Sequence, residues 1–444
     1  EPDAMFRYGK ALMQTGDYVG AKKWLVMYSE SNNTVGRHFA QMCDFALQAF
    51  NKDGMYQAIN EPLSTTAADY GPAFYGNKVV YNSARTDIQR KTAARTTSDW
   101  TGSAYNQLYV TERNAAGTYL QNPAFLRSDL QSNLNEGPVS FSGDGRRVAF
   151  CRNNFIDGTR QIAEKGVNMS LYIATVSEGN WLNEKAFPYN GNFATGFPSL
   201  SPDGNTLYFA SNQEGGYGGW DIYVSSWNGS NWSTPRNLGA PLNTAGNEVT
   251  PFFDGNNLYF SSDWHNGLGG MDVFRADLED NTARNIVHLG TGINSPRDDY
   301  GFVFDAASSI GYLTSNRSEG RGNEDIWQIR KKVDEFVISV TDAQQNPISM
   351  AEIDFSACNA GIKQTDNYGQ YSFAVAAGKA NCRVTVRKAG YRPVVLPISS
   401  SGEKNLNAVL VSDYTETSSI YTPPASSTTP AATGAMNNLE SGTA

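Results

Sequence analysis

Three aspartates recur beside glycine-rich loops, and their spacing suggests chemistry. Each lies nine residues after a polar side chain, in the pairs Asn212 and Asp221, Asp263 and Asp272, and Asn316 and Asp325. Such carboxylates could hold calcium or act as general acids and bases. A carboxylate that repeats with a structural unit is better explained as an acceptor for backbone N–H groups of its own loop. We therefore interpret Asp221, Asp272 and Asp325 as structural, expect no cofactor, and keep calcium as the weaker alternative.

Aromatic side chains in the same glycine loops suggest a second kind of chemistry. Tyr217, Trp220 and Trp264 are candidate surface aromatics that could stack on sugars or contact peptides. The alternative is that these rings pack between neighbouring structural units. The first hypothesis predicts a glycan- or peptide-binding protein, and the second assigns the rings to the core.

The four cysteines are unevenly placed. Cys358 and Cys382 lie close together near the C-terminus, whereas Cys43 and Cys151 lie far apart. We expect a disulfide between Cys358 and Cys382, which requires an oxidising compartment such as a periplasm, and two buried free thiols are the alternative. A zinc site is disfavoured because no C-x-x-C spacing occurs and no histidine lies near a cysteine pair.

Neither an enzyme nor a nucleic-acid-binding protein is indicated. The three histidines, His38, His265 and His288, share no motif, and no Gly-x-Ser-x-Gly sequence occurs. A carboxylate that recurs with each structural unit also lacks the asymmetric cluster that catalysis needs. The net charge of -9 opposes binding to phosphate backbones. We therefore predict a non-enzymatic protein without a nucleic-acid partner.

One pattern of strand, turn, strand, glycine loop and strand returns five times between residues 56 and 331. We place the starts of its inner strands at Pro72, Pro138, Pro198, Pro251 and Phe302, which are 66, 60, 53 and 51 residues apart. An aspartate-glycine turn follows three of these positions and favours a hairpin. A long-range period of this size predicts a five-bladed β-propeller, whereas a β-sandwich would show no such self-similarity.

The last repeat ends at Arg330 without an outer strand of its own. The short signature that precedes the other inner strands also occurs within residues 56–65, before the first repeat. We therefore expect residues 56–65 to supply the outer strand of the fifth blade. Closing the ring in this way would leave no free sheet edge.

The segments on either side of the repeats predict smaller modules. Residues 1–52 show helical periodicity, and the order of Gly9, Leu12, Gly16-Asp17-Tyr18, Ala21 and Leu25 resembles a tetratricopeptide repeat. Residues 333–412 alternate as small β-sandwiches do. Their Thr365-Asp366-x-x-Gly369-x-Tyr371 turn and late Gly390-Tyr391 resemble the carboxypeptidase regulatory-like, or transthyretin-like, domain. Residues 413–444 are rich in Ser, Thr and Pro and are typical of a linker.

The predicted fold is thus multidomain and mainly β: a tetratricopeptide-like helical segment, a five-bladed propeller and a small transthyretin-like sandwich. This module order, over residues 4–412, resembles the PorE-like envelope proteins of the Bacteroidota type IX secretion system. The blade motif alone is also similar to the propeller of TolB, a likeness specific for fold and weak for function.

The resemblance implies a location and partners. It implies a periplasmic protein associated with the outer membrane by a lipid anchor, and an OmpA-like domain after the linker that grips peptidoglycan. Neither anchor lies within residues 1–444. The implied partners are other secretion-system or outer-membrane proteins, a PorP/SprF-type barrel among them. The implied function is a scaffold that tethers a secretion or surface-adhesin assembly to the cell wall.

Overall fold

The computed structural model describes residues 1–50, 56–88, 104–114, 118–126, 135–153, 168–279, 281–376 and 380–413. The chain divides into two compact units, Glu1–Val333 and Asp334–Ala444. The predicted linker lies outside the described residues from 414 onward. Within the described ranges, no helix is both long enough and apolar enough to cross a membrane.

Three helices begin the first unit. They are α1 (Pro2–Gln14), α2 (Tyr18–Tyr28) and α3 (Asn33–Ala49). The Asp17 side chain caps α2 by accepting the Gly20 N–H at 2.8 Å, because the first N–H groups of a helix have no partner within it. Gly9 lets α1 approach α2 closely, since a Cβ there would lie 2.8 Å from the Leu25 side chain.

Twenty strands build five four-stranded antiparallel sheets, and each sheet is called a blade here. Blade 1 contains β2 (Asp69–Tyr75), β3 (Lys78–Ser83), β4 (Gln107–Arg113) and β5 (Leu120–Phe125). Blade 2 contains β6 (Glu136–Phe141), β7 (Arg147–Asn153), β8 (Met169–Ser177) and β9 (Asn180–Ala186). Blade 3 contains β10 (Thr195–Leu200), β11 (Thr206–Ser211), β12 (Asp221–Ser226) and β13 (Arg236–Asn237).

The last two blades complete the set. Blade 4 contains β14 (Glu248–Phe253), β15 (Asn257–Ser262), β16 (Asp272–Glu279) and β17 (Thr282–His288). Blade 5 contains β18 (Asp299–Asp305), β19 (Ile310–Ser315), β20 (Asp325–Lys331) and β1 (Tyr56–Asn60). The first strands of successive blades contact one another in the order β2, β6, β10, β14, β18 and back to β2. The first unit is therefore mainly β and propeller-like. This agrees with the mainly β, propeller part of the fold predicted from the sequence.

The ring closes through residues that precede its first blade. Strand β1 pairs antiparallel with β20, so that Tyr56 lies opposite Lys331 and Asn60 opposite Trp327. Immediately after β1, the Glu61 N–H donates to the Ile326 carbonyl at 2.9 Å. The outermost strand of blade 5 thus comes from the start of the chain, which pairs the edge that β20 would otherwise expose.

The helices pack against the glycine loop of blade 4. The Tyr18 hydroxyl donates to the Leu268 carbonyl at 2.6 Å, and the Lys10 ammonium donates to the Gly269 carbonyl at 3.2 Å. Leu268 is fully buried in the same apolar cluster as Met13 and Leu25. Helices and ring therefore share a core, which explains why they form one unit although their sequences indicate separate modules.

The second unit is a sandwich of two sheets. Its strands are β21 (Val333–Asp342), β22 (Glu352–Asp354), β23 (Ile362–Gln364), β24 (Gln370–Ala376), β25 (Asn381–Arg387), β26 (Val394–Ser399) and β27 (Asn405–Leu410). One sheet has the order β24-β21-β27 and the other β23-β22-β25-β26. Phe336, Ile338, Val384 and Val386 pack between them. Cys358 and Cys382 form a disulfide, whereas Cys43 and Cys151, both in the first unit, are buried free thiols.

Candidate ligand site at the axis of the ring

Every inner strand carries a β-bulge at the same place. The residue at the bulge has a left-handed backbone in all five blades: Gly71 (φ 65°), Gly137 (φ 82°), Phe197 (φ 53°), Thr250 (φ 49°) and Gly301 (φ 63°). The next residue is a proline in four blades and Phe302 in the fifth. The strand starts predicted at these four prolines and at Phe302 were wrong by two residues in blade 2 and by three in the other blades, because the paired strand continues through the bulge towards its N-terminal end.

Hydrogen bonds from one blade to the next hold the inner strands around the axis. The Gly71 N–H donates to Thr314 Oγ1 at 2.9 Å, and the Gly301 N–H donates to Thr250 Oγ1 at 3.0 Å. Ser199 Oγ accepts the Phe253 N–H at 2.9 Å in the same manner. Hydroxyl groups therefore satisfy N–H groups that point away from the strand's own sheet.

The five inner strands enclose an axial cavity of about 830 Å³, a volume typical of ligand pockets. Pro72, Pro198 and Pro251 of its wall are buried, and half-buried aromatic rings form much of the rest of the lining. These rings are Tyr70, Phe74, Phe197, Phe252, Phe253, Tyr300 and Phe304. The wall is therefore mixed, slightly more apolar than polar, and a ligand would meet rings, proline edges and polar backbone.

The two ends of the cavity differ. At one end the inner hairpin turns are exposed, as at Asn77 and Asn256. The other end of the cavity is formed by the starts of the inner strands. There each glycine loop packs against the segment that leads into an inner strand, as Gly269 packs against Pro296. The helices pack on that glycine-loop end at blade 4. Access from solvent is therefore least hindered at the turn end.

Four charged residues lie at the turn end, and neighbouring groups engage each of them. Asp254 accepts the N–H groups of its own turn at 2.8 and 2.7 Å. Asp305 likewise accepts the Ala307 N–H at 3.1 Å. Glu112 pairs with Lys78 at 3.4 Å, and the Arg113 guanidinium lies 5.5 Å from the ring centroid of Phe74. Among the described residues of the lining there is no histidine and no cysteine.

The three aspartates indicated by the sequence hold glycine loops and do not line the cavity. Asp221 accepts the Tyr217 N–H at 2.6 Å, Asp272 accepts the Leu268 N–H at 2.7 Å, and Asp325 accepts the Gly322 N–H at 3.1 Å. All three are at most 1% exposed. In the described parts of the chain, no cluster of three or more His, Cys, Asp or Glu side chains could hold a metal ion.

The three candidate surface aromatics have different environments. Tyr217 is 55% exposed. Trp220 is half-buried and makes an edge contact with Phe197, with ring centroids 5.6 Å apart. Trp264 stacks on His38 at 4.5 Å and so lies in the seam between helices and ring. The hypothesis of a free surface ring at Trp264 is wrong, because α3 covers it.

A second set of buried carboxylates, which we did not single out in the sequence, begins three of the inner strands. Each accepts the N–H of the hydroxyl residue four positions earlier: Asp69 from Thr65 at 2.6 Å, Glu248 from Thr244 at 2.7 Å and Asp299 from Ser295 at 2.6 Å. In the sequence, these carboxylates could have been recognised by a Thr or Ser four residues before an acid. Burial raises the pKa of all three carboxyls, that of Glu248 to about 7, and for Asp299 this outweighs the opposing charge of Arg317.

Glu61 is a further buried acid, at the point where the ring closes. One carboxylate oxygen accepts the Leu120 N–H at 2.8 Å, and the residue is 1% exposed. Burial raises the pKa of this carboxyl to about 7, against the opposing effects of that hydrogen bond and of Arg330. It lies in the closing segment and outside the cavity, so we assign it a structural role.

Comparison with known proteins gives likenesses of fold at low identity. No protein-family model and no curated protein matches the sequence. The α-L-arabinofuranosidase from Lactobacillus brevis is similar at 12% identity and a TM-score of 0.38, over 62% of this chain and 92% of that one. The catalytic domain of a Coprinopsis cinerea α-L-arabinofuranosidase gives 10% and 0.38, over 63% and 97%.

A structure from a study of two prolyl endopeptidases is similar at 14% identity and a TM-score of 0.29, over 79% of this chain. The present chain spans 44% of that structure's length. Neither an activity nor a family follows from these likenesses. The propeller-like character of the ring follows from its own strand order and blade contacts.

Proposed function

We propose that this chain is a non-enzymatic scaffold of a bacterial cell envelope. In this proposal it belongs to a type IX secretion or surface-adhesin assembly and links outer-membrane partners to peptidoglycan through an OmpA-like domain. The module order that resembles PorE-like proteins supports it. The Cys358–Cys382 disulfide supports an oxidising location, for which the periplasm at the outer membrane is our proposal.

The observation that supports a binding role is that the carboxylates of the ring already have partners within the protein. Asp221, Asp272 and Asp325 accept backbone N–H groups of their own loops, and the acids at the cavity's turn end have partners of their own. A general acid or base must instead reach a substrate proton from within the cleft. A cavity lined by rings and backbone, whose acids are already engaged by neighbouring groups, favours binding over bond cleavage.

The second candidate function is a glycan- or peptide-binding propeller, and the axial cavity favours it specifically. Its volume suits a ligand, and its aromatic rings offer contact area at low cost in conformational entropy. The two proposals are compatible, since a scaffold can hold one partner in the cavity while other surfaces contact the rest of an assembly.

Affinity purification tests the scaffold. The tagged full-length protein is recovered from detergent-solubilised envelopes, and the co-purifying proteins are identified by mass spectrometry against an untagged control strain. We expect outer-membrane and secretion-system proteins, a barrel among them, to be enriched. Recovery of the bait without any outer-membrane or secretion component would contradict the scaffold, and turnover of a pooled glycoside or peptide library by the pure protein would contradict the non-enzymatic assignment.

A further inference from the structure

Phe197 departs from the pattern that the other blades follow at the bulge. Three blades have glycine there, because a residue with a Cβ is strained at positive φ. Phe197 keeps a φ of 53° with one of the largest side chains available. Of the six residues of β10, it is also the only one that is not fully buried.

Thr250 is the other exception, and the construction of the ring explains it. Its hydroxyl accepts the Gly301 N–H at 3.0 Å and contacts the Ser261 hydroxyl at 3.2 Å. The side chain thereby supplies one of the hydrogen bonds that join blades. Thr250 offsets its backbone strain with a bond that glycine could not make.

No such bond explains Phe197. Its backbone N–H lowers the pKa of the buried Cys151 thiol in the preceding blade, against the larger effect of burial, and glycine would have the same effect. Its ring makes an edge contact with Trp220 and otherwise lines the axial cavity. Strained backbone at a residue whose side chain reaches a cavity is a recognised mark of a functional position.

The cavity wall indicates the class of ligand. Each inner strand pairs on one side only, so it is a sheet edge whose alternate N–H and C=O groups point away from its own blade. Edge strands of this kind bind extended polypeptides through main-chain hydrogen bonds, while pockets take alternate side chains. Some of these N–H groups are already bonded within the ring, since Leu200 and Phe253 donate theirs to the Ser140 and Ser199 hydroxyls of neighbouring blades at 2.9 Å each. A bound segment would therefore pair only with the edge groups that the ring does not use.

We propose that the axial cavity holds an extended polypeptide segment with apolar side chains, and that the Phe197 ring is its specificity-determining contact. This inference rests on the cavity being a binding site. The inner strands are six or seven residues long, so at about 3.3 Å per residue a segment of about six residues spans the wall. The segment enters from the turn end, because the helices pack on the opposite end.

Peptide selection with matched variants tests the proposal. A phage-displayed library of random octapeptides is selected on the immobilised full-length protein, and a glycan array is probed in parallel. The enriched peptide, labelled with fluorescein, is then titrated by anisotropy against wild type, Phe197→Gly and Phe197→Asn. Gly and Asn both tolerate a left-handed backbone, so these variants remove the ring without adding strain. Tyr119→Asn removes an aromatic side chain that is 42% exposed outside the cavity and serves as the control.

We expect both Phe197 variants to bind the peptide at least about tenfold more weakly and Tyr119→Asn to bind it as wild type does. Thermal midpoints of the Phe197 variants at or above that of wild type would show that the ring serves binding and not folding. Failure to enrich any peptide, equal affinity for wild type and both variants, or Phe197-dependent binding of a glycan would each overturn the inference. If envelope partners were recovered but the Phe197 variants bound the peptide as wild type does, the scaffold proposal would be supported and only the proposed cavity ligand would be rejected.

Discussion

The Asp272 carboxylate accepts the backbone N–H of Leu268, four residues earlier, at 2.7 Å. Leu268 is fully buried among the N-terminal helices, and its carbonyl accepts the Tyr18 hydroxyl at 2.6 Å. One aspartate thus shapes a glycine loop whose leucine anchors a second structural element. A carboxylate that recurs in several blades for a local reason has acquired a long-range role in blade 4.

Replacing Asp272 with alanine should destabilise the first unit. The Leu268 and Gly269 N–H groups would lose their acceptor in a buried loop, which costs about 2 kcal/mol. Chemical denaturation followed by tryptophan fluorescence measures the loss. Glu279→Ala, at an exposed position on the same strand, should change the free energy of unfolding by less than about 0.5 kcal/mol.

A purely structural role for Asp272 also predicts indifference to calcium. The wild-type unfolding midpoint should be the same in calcium and in chelator. A midpoint that rises with calcium in wild type and stays constant in Asp272→Ala would show that the carboxylate serves a metal ion.

Shortening Leu268 should loosen the helices from the ring. Leu268→Ala removes a fully buried side chain from the core that it shares with Met13 and Leu25, at a cost of about 3 kcal/mol. Hydrogen exchange should then show faster exchange of amides in α1 to α3 than in the inner strands. Val287→Ala, at a position 42% exposed in the same blade, is the matched control. If amide exchange were accelerated equally throughout the first unit, Leu268 would not act as a local contact between the helices and the ring.

Local sequence signals account for most of the ring. Aspartate-glycine turns and aromatic alternation indicated the strands, and the mainly β, four-stranded architecture is confirmed. The signature before the first repeat indicated closure by residues 56–65, and in the structure Tyr56–Asn60 pairs with β20. These features succeed because each repeat must bury its apolar face against a neighbour that carries the same pattern.

The candidate site was much less predictable. The importance of Phe197 depends on a backbone conformation shared with residues about 60 positions away in neighbouring blades, and a left-handed phenylalanine has no signature of its own. Trp264 looked like a loop aromatic, yet His38, 226 residues earlier, covers it. Contacts of this range follow from how the blades and helices assemble, and no local pattern encodes them.

The disulfide should stabilise the second unit. Cys358 and Cys382 are 24 residues apart, and a cross-link of this span contributes about 3 kcal/mol in the chain-entropy description. The double variant Cys358→Ser, Cys382→Ser should therefore unfold its second unit at a lower denaturant concentration, while the first unit keeps its midpoint. A reducing agent should lower the wild-type midpoint and leave that of the double variant unchanged. Equal midpoints for oxidised and reduced wild type would contradict a stabilising role.

Glu61 should make ring stability depend on pH near neutrality. Burial raises the pKa of its carboxyl from 4.5 to about 7 in the folded state, so the folded chain binds this proton more tightly than the unfolded chain does. The contribution to the free energy of unfolding is complete below about pH 4.5 and is lost as the pH rises through about 7. The loss amounts to about 3 kcal/mol by pH 8.

Glu61→Gln tests this linkage because glutamine keeps the shape and stays neutral at every pH. The variant should match wild type near pH 4, exceed it in stability at pH 8, and show a flatter profile of unfolding free energy against pH. Glu248, whose pKa burial also raises to about 7, lies in another blade, so Glu248→Gln should add a similar gain independently. If Glu61→Gln were less stable than wild type at pH 8, the folded ring would have to favour the ionised carboxylate over the neutral form, with a cation holding it, for which Arg330 is the candidate.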